Sequence, residues 1–511
     1  MNKSKIMKIL GIFYSIMITV ILVICVLGQD RMYRYRKEFL FDNYICIILG
    51  VVIYALLLGA VYVVVHKGKI QKYLPRIMIV ISLMFTGVLF VMGYHYCFRT
   101  GWDVSQILNT VEGIVYDQPD KVAHWYYSLY PNNILLTAIY TAIYRIGAWI
   151  GVSNGYYLLL FLQSGIFAWT GYLVYRIAEM YFGKEKMTYT MLVWTVYMGM
   201  VGVSPWVVIP YSDTSSLFMV ALCIFLYFKL CKEGITYLRL FALILCGMLG
   251  FYIKPQAFII VIAIALILLV TSFKQMVTQY KYTIKCIGII AAAFVCVWGI
   301  VQGATAFCGL EIVNEEKYGI THFFMMGLNR DSFGTISNED VHISSSFYTY
   351  EERCKGNIEE AIRRIEKMGI SGLADLAVGK TLVNYNDGTF GWGVEGNFYA
   401  ELYENGNDFL RYFLRGFYYE DLNHYYMFAV WMQMLWMGTL LLSVFATKQV
   451  QDKRVAVLLL AIVGLTIFEL VFEARARYLF AYAPVYILLA VIGLQGLVSM
   501  CKKIKGNRME E

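Results

Sequence analysis

The sequence predicts an all-α membrane protein with about twelve transmembrane helices, and three observations carry that expectation. Of 511 residues, 59% are hydrophobic and 15% charged, whereas a soluble chain is about 45–50% apolar and about 25% charged; a water-soluble globular enzyme is excluded. Long apolar runs recur along the chain, and a hydrocarbon core of about 30 Å needs roughly 20 apolar residues per helix. Seven prolines in all and no polar low-complexity stretch speak against disorder.

The first run, 7–28, follows Lys3, Lys5 and Lys8. It is too long for a signal-peptide core and a second run soon follows, which makes it a span. Further runs fall at 43–65, 76–97, 156–178, 187–204, 213–231, 237–253, 255–273, 284–306, 425–446, 455–473 and 477–499. Each is expected to be helical, because lipid offers a backbone amide no partner outside its own helix. Segment 131–150 is apolar but opens on Tyr130-Pro131-Asn132-Asn133. Taken as an interfacial helix in an outer loop, it leaves basic clusters at 67–76, 184–186, 229–232, 274–285, 448–454 and 502–508 on one side with the amino terminus. The positive-inside rule therefore selects twelve spans with both termini cytoplasmic. Loop 29–42, with Arg31, Arg34, Arg36 and Lys37, is the exception.

Four regions follow: two additional spans in 1–75, a transmembrane core in 76–306 with the outer loop 98–155, an extracytoplasmic loop domain of mixed or α structure in 307–424, and three spans with a basic tail in 425–511. Residues 308–424 hold 19 Asp and Glu against 10 Lys and Arg, a net of −9, which leaves +17 for the remainder. That split describes basic cytoplasmic loops and one acidic, water-facing segment, and excludes a nucleic-acid footprint. Most of the 11 cysteines lie in apolar runs, where Cys is a small hydrophobe; a Cys308–Cys354 disulfide stays open.

This topology gathers the unusual polar residues at the outer face. Asp103, in Gly101-Trp102-Asp103, opens an amphipathic helix; it is either an N-cap or a general base for a sugar hydroxyl. Asp213 stands at the start of span 6 with the same capping alternative. Lys254-Pro255 breaks the apolar run 237–273, and a lysine there is either functional or snorkels outward. Glu473-Ala474-Arg475-Ala476-Arg477 puts two arginines in an outer turn; they are helix-capping ion pairs or phosphate ligands, since the planar guanidinium fork binds phosphate oxygens bidentately. In the long loop, His322–Gly334 and Asn384–Asn397 are irregular. The second combines Asn386, Asp387, Trp392 and Glu395, side chains that suit a sugar ring, although turn chemistry alone also explains Asn-Asp-Gly. Residues 351–368 are expected to form a solvated helix and 370–383 a more apolar one, with Lys380 near the Asn-Asp-Gly turn.

In this order and on this face, these residues resemble the GT-C superfamily, integral-membrane glycosyltransferases that use polyprenyl-phosphate sugars, such as protein mannosyltransferases and the lipid A aminoarabinose transferase. The stretches 322–329 and 384–397 resemble Gram-positive members of that group. The resemblance covers roughly 76–500. It implies an inverting transfer of sugar from a polyprenyl-phosphate donor to a glycan, lipid or protein acceptor at the extracytoplasmic face of the cell membrane. Asp103 would be the general base and Asp213 the second acidic position, for acceptor or metal. Lys254, Arg475 and Arg477 would contact the donor phosphate, with Glu473 orienting a guanidinium. Tyr130, in the place of the superfamily's His-Pro-Pro or Tyr-Pro-Pro, joins His322, Asn386, Asp387, Trp392 and Glu395 as sugar or acceptor contacts. The superfamily's acidic pair is here Asp103 alone, preceded by Trp102, which leaves a divalent metal open. A lipid-linked sugar transporter or flippase, or an O-antigen-ligase-like or polymerase enzyme, are the alternatives; the ligase gives Asp103 no role.

Overall fold

The computed structural model describes residues 3–30, 41–67, 73–396 and 398–507. The basic residues Arg31, Arg34, Arg36 and Lys37, most of the 67–76 cluster, the side chains of the 502–508 cluster and Asn397 lie outside them.

Helices dominate. The first half contains α1 (Lys3–Leu27), α2 (Asn43–Lys67), α3 (Leu74–Tyr96), α4 (Asp103–Val115), α5 (His124–Leu129), α6 (Ile134–Trp149), α7 (Tyr156–Phe182), α8 (Met187–Tyr197), α9 (Ser212–Glu233), α10 (Tyr237–Ile253), α11 (Ile259–Thr278) and α12 (Tyr280–Cys308). There follow α13 (Gly319–Gly327), α14 (Asn338–Ser345), α15 (Tyr350–Tyr385), α16 (Asp408–Tyr418), α17 (Tyr425–Val444), α18 (Lys453–Val471) and α19 (Ala483–Asn507). Among the described residues, ten helices are long and apolar enough to cross a membrane. Two of the twelve expected runs give helices shorter than that length. Residues 187–204 give an eleven-residue α8 that loosens into a π turn, Met198–Gly202, ahead of Ser204-Pro205. Residues 237–253 give α10, which at 17 residues ends where Pro255 denies the next turn its amide. Segment 131–150 is a 3₁₀ turn, Pro131–Asn133, followed by the 16-residue α6.

The two N-terminal spans are built into the bundle: α1 packs on α17 and α18, and α2 on α17 and α8. A Cβ at Gly50 would lie 2.9 Å from the Cα of Gly438, so two glycines let α2 and α17 approach backbone to backbone. Cys308 and Cys354 are not joined in a disulfide.

The acidic segment between α12 and α17 is mostly helical. Its longest helix, α15, is kinked at Gly369 (φ 57°). One short ladder ties the segment to the first loop: β1 (Phe98–Thr100) pairs antiparallel with β2 (Tyr399–Leu402), Phe98 opposite Leu402. The carboxy end of α3, the break between α10 and α11, the amino end of α9 and the turn between α18 and α19 meet beside this segment. The basic segments meet at the other end, where the Arg454 guanidinium donates to Met180 O (3.1 Å), Tyr227 Oη to Lys453 O (3.2 Å) and Gln451 to Ser4 O (3.2 Å).

Candidate functional site

Asp103 is the first residue of α4, and Trp102 takes the cap position without a side-chain bond. Its half-buried carboxylate is therefore not used as a cap. It accepts a hydrogen bond from Tyr211 Oη at 3.0 Å, and the Trp102 and Tyr211 rings meet edge to face, 4.8 Å apart. Asp213 is not a cap either: Tyr211 precedes α9, and the backbone N–H of Tyr211 donates to Thr214 Oγ1. Asp213 points inward instead, 2% exposed, with Oδ1 2.8 Å from Lys254 Nζ and Oδ2 3.3 Å from Arg477 Nε.

Lys254 is placed by the Pro255 break. With its N–H bonded back to Gly250 O, it closes α10, and its ammonium lies 3.7 Å from the centroid of the Tyr478 ring. Burial lowers its pKa below the ordinary lysine value, against the pull of Asp213. The 473–477 turn supplies the rest. Arg475 Nε donates to Glu473 Oε1 (2.8 Å), and Tyr478 Oη donates to Glu473 Oε2 (2.5 Å). Glu395 Oε2 lies 3.1 Å from Arg475 Nη1 and 3.0 Å from Arg477 Nη1. The Arg477 guanidinium also covers the Trp102 ring at 4.3 Å. Burial works to raise the Glu473 carboxyl, but Arg475, Tyr478 and Arg477 outweigh it and hold its pKa below the usual carboxylate value.

A cavity of about 330 Å³ is lined by Asp103, Tyr130, Tyr211, Lys254, Glu473, Arg475 and Arg477. Its remaining wall is largely apolar, with Phe251, Phe323, Met326, Phe468 and Phe472. Ionised groups and hydrocarbon thus line the same cavity, a lining suited to an amphiphile. Among the described residues, no group of three or more His, Cys, Asp and Glu could hold a metal ion; Asp213, Glu395 and Glu473 are each engaged by a lysine or an arginine.

Four of the expected sugar contacts lie elsewhere. His322 is wholly buried in α13, its Nδ1 2.7 Å from Ser344 Oγ and its ring stacked on Tyr318. Asn386 bonds Asn43 at 2.6 Å, and Gln433 reaches Asn43 at 2.8 Å, a polar knot between α2, α17 and the loop. Asp387 accepts from the N–H groups of Thr389 and Gly391, which fixes the turn. Trp392 is fully buried and donates to Tyr418 O at 2.6 Å. The Asn384–Gly396 stretch is thus a packed plug: a Cβ at Gly388 would stand 2.4 Å from Met432 O. Lys380 does not reach the Asn-Asp-Gly turn. It donates to Gly327 O, Leu470 O and Phe472 O at 2.9, 2.8 and 2.5 Å. Sequence reasoning missed Tyr211, Trp102 and Tyr478, each within two residues of a charged residue it chose, and the fully buried Glu469 of α18, an acid inside an apolar run.

The fold defines an all-α integral membrane protein, with an amphiphilic cavity at one end of its bundle. The chain belongs to the family described as conserved hypothetical integral membrane protein, whose model matches residues 2–497, α1 and α2 included. No curated protein and no solved structure matches the chain.

Proposed function

We propose that the protein is a glycosyltransferase that moves a sugar from a polyprenyl-phosphate donor to an acceptor hydroxyl, with inversion. The observation that carries this reading is the shared cavity: a carboxylate, Asp103, faces the same space as Lys254, Arg475 and Arg477, beside an apolar wall. The apolar wall takes the first isoprenoid units and the cations take the phosphate. The leaving phosphate gains negative charge in the transition state, so cations already fixed by Asp213, Glu395 and Glu473 stabilise it without reorganisation. Asp103 accepts the proton of the attacking hydroxyl, with Tyr211 fixing the orientation of its carboxylate. Glu395 and Glu473 act as positioning residues for the guanidinium groups.

The basic segments gather at the bundle end away from the cavity, which supports cytoplasmic termini and an extracytoplasmic site. The test is turnover: purified protein in nanodiscs with polyprenyl-phosphate sugars, following release of polyprenyl phosphate. Release that depends on an added acceptor and on Asp103 is expected. No release from any such donor, with the fold intact, overturns the reading.

A further inference from the structure

We infer that α16 is seated in the bilayer surface, with Phe409, Tyr412 and Phe413 inserted among the lipids. The inference concerns this surface alone and stands whether or not the cavity transfers sugar. The three residues are 77, 66 and 51% exposed and, at i, i+3 and i+4, share one face of the helix. The Phe409 and Phe413 rings stack at 6.2 Å.

The opposite face is charged and turned inward. Arg411 is held by Asp408 (2.7 Å) and Glu404 (2.9 Å), and Arg415 by Glu404 (3.1 Å) and Tyr403 O (2.7 Å). A helix in water hides its apolar stripe and shows its charges; α16 does the reverse.

Its surroundings identify what covers the aromatic face. α16 packs on α3 and α17, both of membrane-crossing length, and the chain turns directly into α17, with His424 N–H donating to Gly416 O at 3.1 Å. Val88 and Val91 of α3, and Tyr426 and Met427 of α17, are exposed as well. The aromatic face therefore continues the lipid-facing surface of two spans. Phenyl rings with one tyrosine hydroxyl, and no ionised group, match the interfacial layer, where aromatic side chains anchor amphipathic helices. Seating α16 also fixes β2, a few residues before it, and through the β1–β2 ladder the strand that leads into Asp103.

The test uses the full chain in nanodiscs of phosphatidylcholine and phosphatidylglycerol, doped with a phosphatidylcholine that carries a photoreactive diazirine in its acyl chain. After irradiation, peptide mass spectrometry is expected to find lipid adducts on residues 409–413, as on the exposed α2 positions Leu56 and Val64. Phe409→Ser/Phe413→Ser should lose the α16 adducts and keep those on α2, which also reports an intact bundle. Adducts on α2 with none on α16 overturn the inference. So does a chain-to-chain cross-link at 409–413 in place of lipid, or undiminished α16 adducts in the double variant.

Discussion

Lys254 and Arg477, from opposite halves of the chain, hold the two oxygens of one carboxylate, Asp213, at 2.8 and 3.3 Å. The three side chains are buried, so their charges are compensated chiefly by one another. Removing one member strands the others, which for a buried pair costs about 3–5 kcal/mol. Asp213→Asn and Lys254→Met are each expected to lower the thermal midpoint of the detergent-solubilised protein. Their double variant should lose less than the sum, because the second change removes a charge already orphaned. Additive losses would separate the two groups.

Asp103 occupies a different position: it is half-buried, its carboxylate accepts one hydrogen bond, from Tyr211, and it does not cap its helix. Asp103→Asn is therefore expected to leave the thermal midpoint near that of the parent while transfer from polyprenyl-phosphate sugars falls about 10²–10⁴-fold, the usual worth of a positioned base. Tyr211→Phe should cost less, since it alters the orientation of the base and keeps its chemistry. Turnover by Asp103→Asn near the parent rate would move the base elsewhere.

Helix order and the site's scaffold were legible in the sequence because each rests on a local signal: apolar length, a Lys-Pro break, arginines in a short turn. The convergence of Asp103, Lys254 and Arg477 follows from helix parity, since each stands at the same end of its span. Burial was not legible. Asn386, Asp387 and Trp392 carry chemistry that serves a sugar site and a packed turn equally well, and only the tertiary structure, with Gly388 against the α17 backbone, separates the two. His322 was misplaced for the same reason, since its partner Ser344 comes from another helix.

His322 supplies a pH prediction. Burial, with Glu473 opposing and Arg353 adding, lowers its pKa from the ordinary 6.5 to about 4. The folded state therefore keeps the ring neutral while the unfolded chain takes up a proton. Its contribution to stability is complete above about pH 6.5 and is lost as the pH falls toward 4. The shift corresponds to about 3 kcal/mol. Limited proteolysis between pH 7 and 4 should show the 319–385 region opening on acidification, and His322→Gln should flatten that dependence. An unchanged profile in the variant would assign acid sensitivity to other groups.

Sidedness is tested at Ser153, exposed in the connection between α6 and α7, and at Lys184, exposed just after α7. If the cavity is extracytoplasmic, Ser153→Cys reacts with a membrane-impermeant maleimide in intact cells, and Lys184→Cys reacts only after permeabilisation, each above the background of the parent cysteines. The reverse pattern would put the cavity on the cytoplasmic side.

The arginine turn gives the sharpest test of phosphate binding. Arg477 touches Asp213, Glu395 and the face of Trp102, so Arg477→Ala removes a charge, a fork and a stacking plane together. Charge-assisted hydrogen bonds contribute about 1.5–3 kcal/mol each, which corresponds to roughly tenfold to a hundredfold in donor affinity. Arg477→Lys restores the charge without the planar fork and should recover only part of the loss. Arg475→Ala should behave similarly, since Glu395 bridges both guanidinium groups, and the two alanine changes together should cost less than their sum. Polyprenyl phosphate without sugar, titrated into nanodiscs, reads this directly and separates donor contact from the chemistry at Asp103. Asp103→Asn should bind polyprenyl phosphate as the parent does, whereas the arginine variants should not. Equal binding by all of them would leave the arginines a structural role, holding Glu395 and Glu473 in the turn.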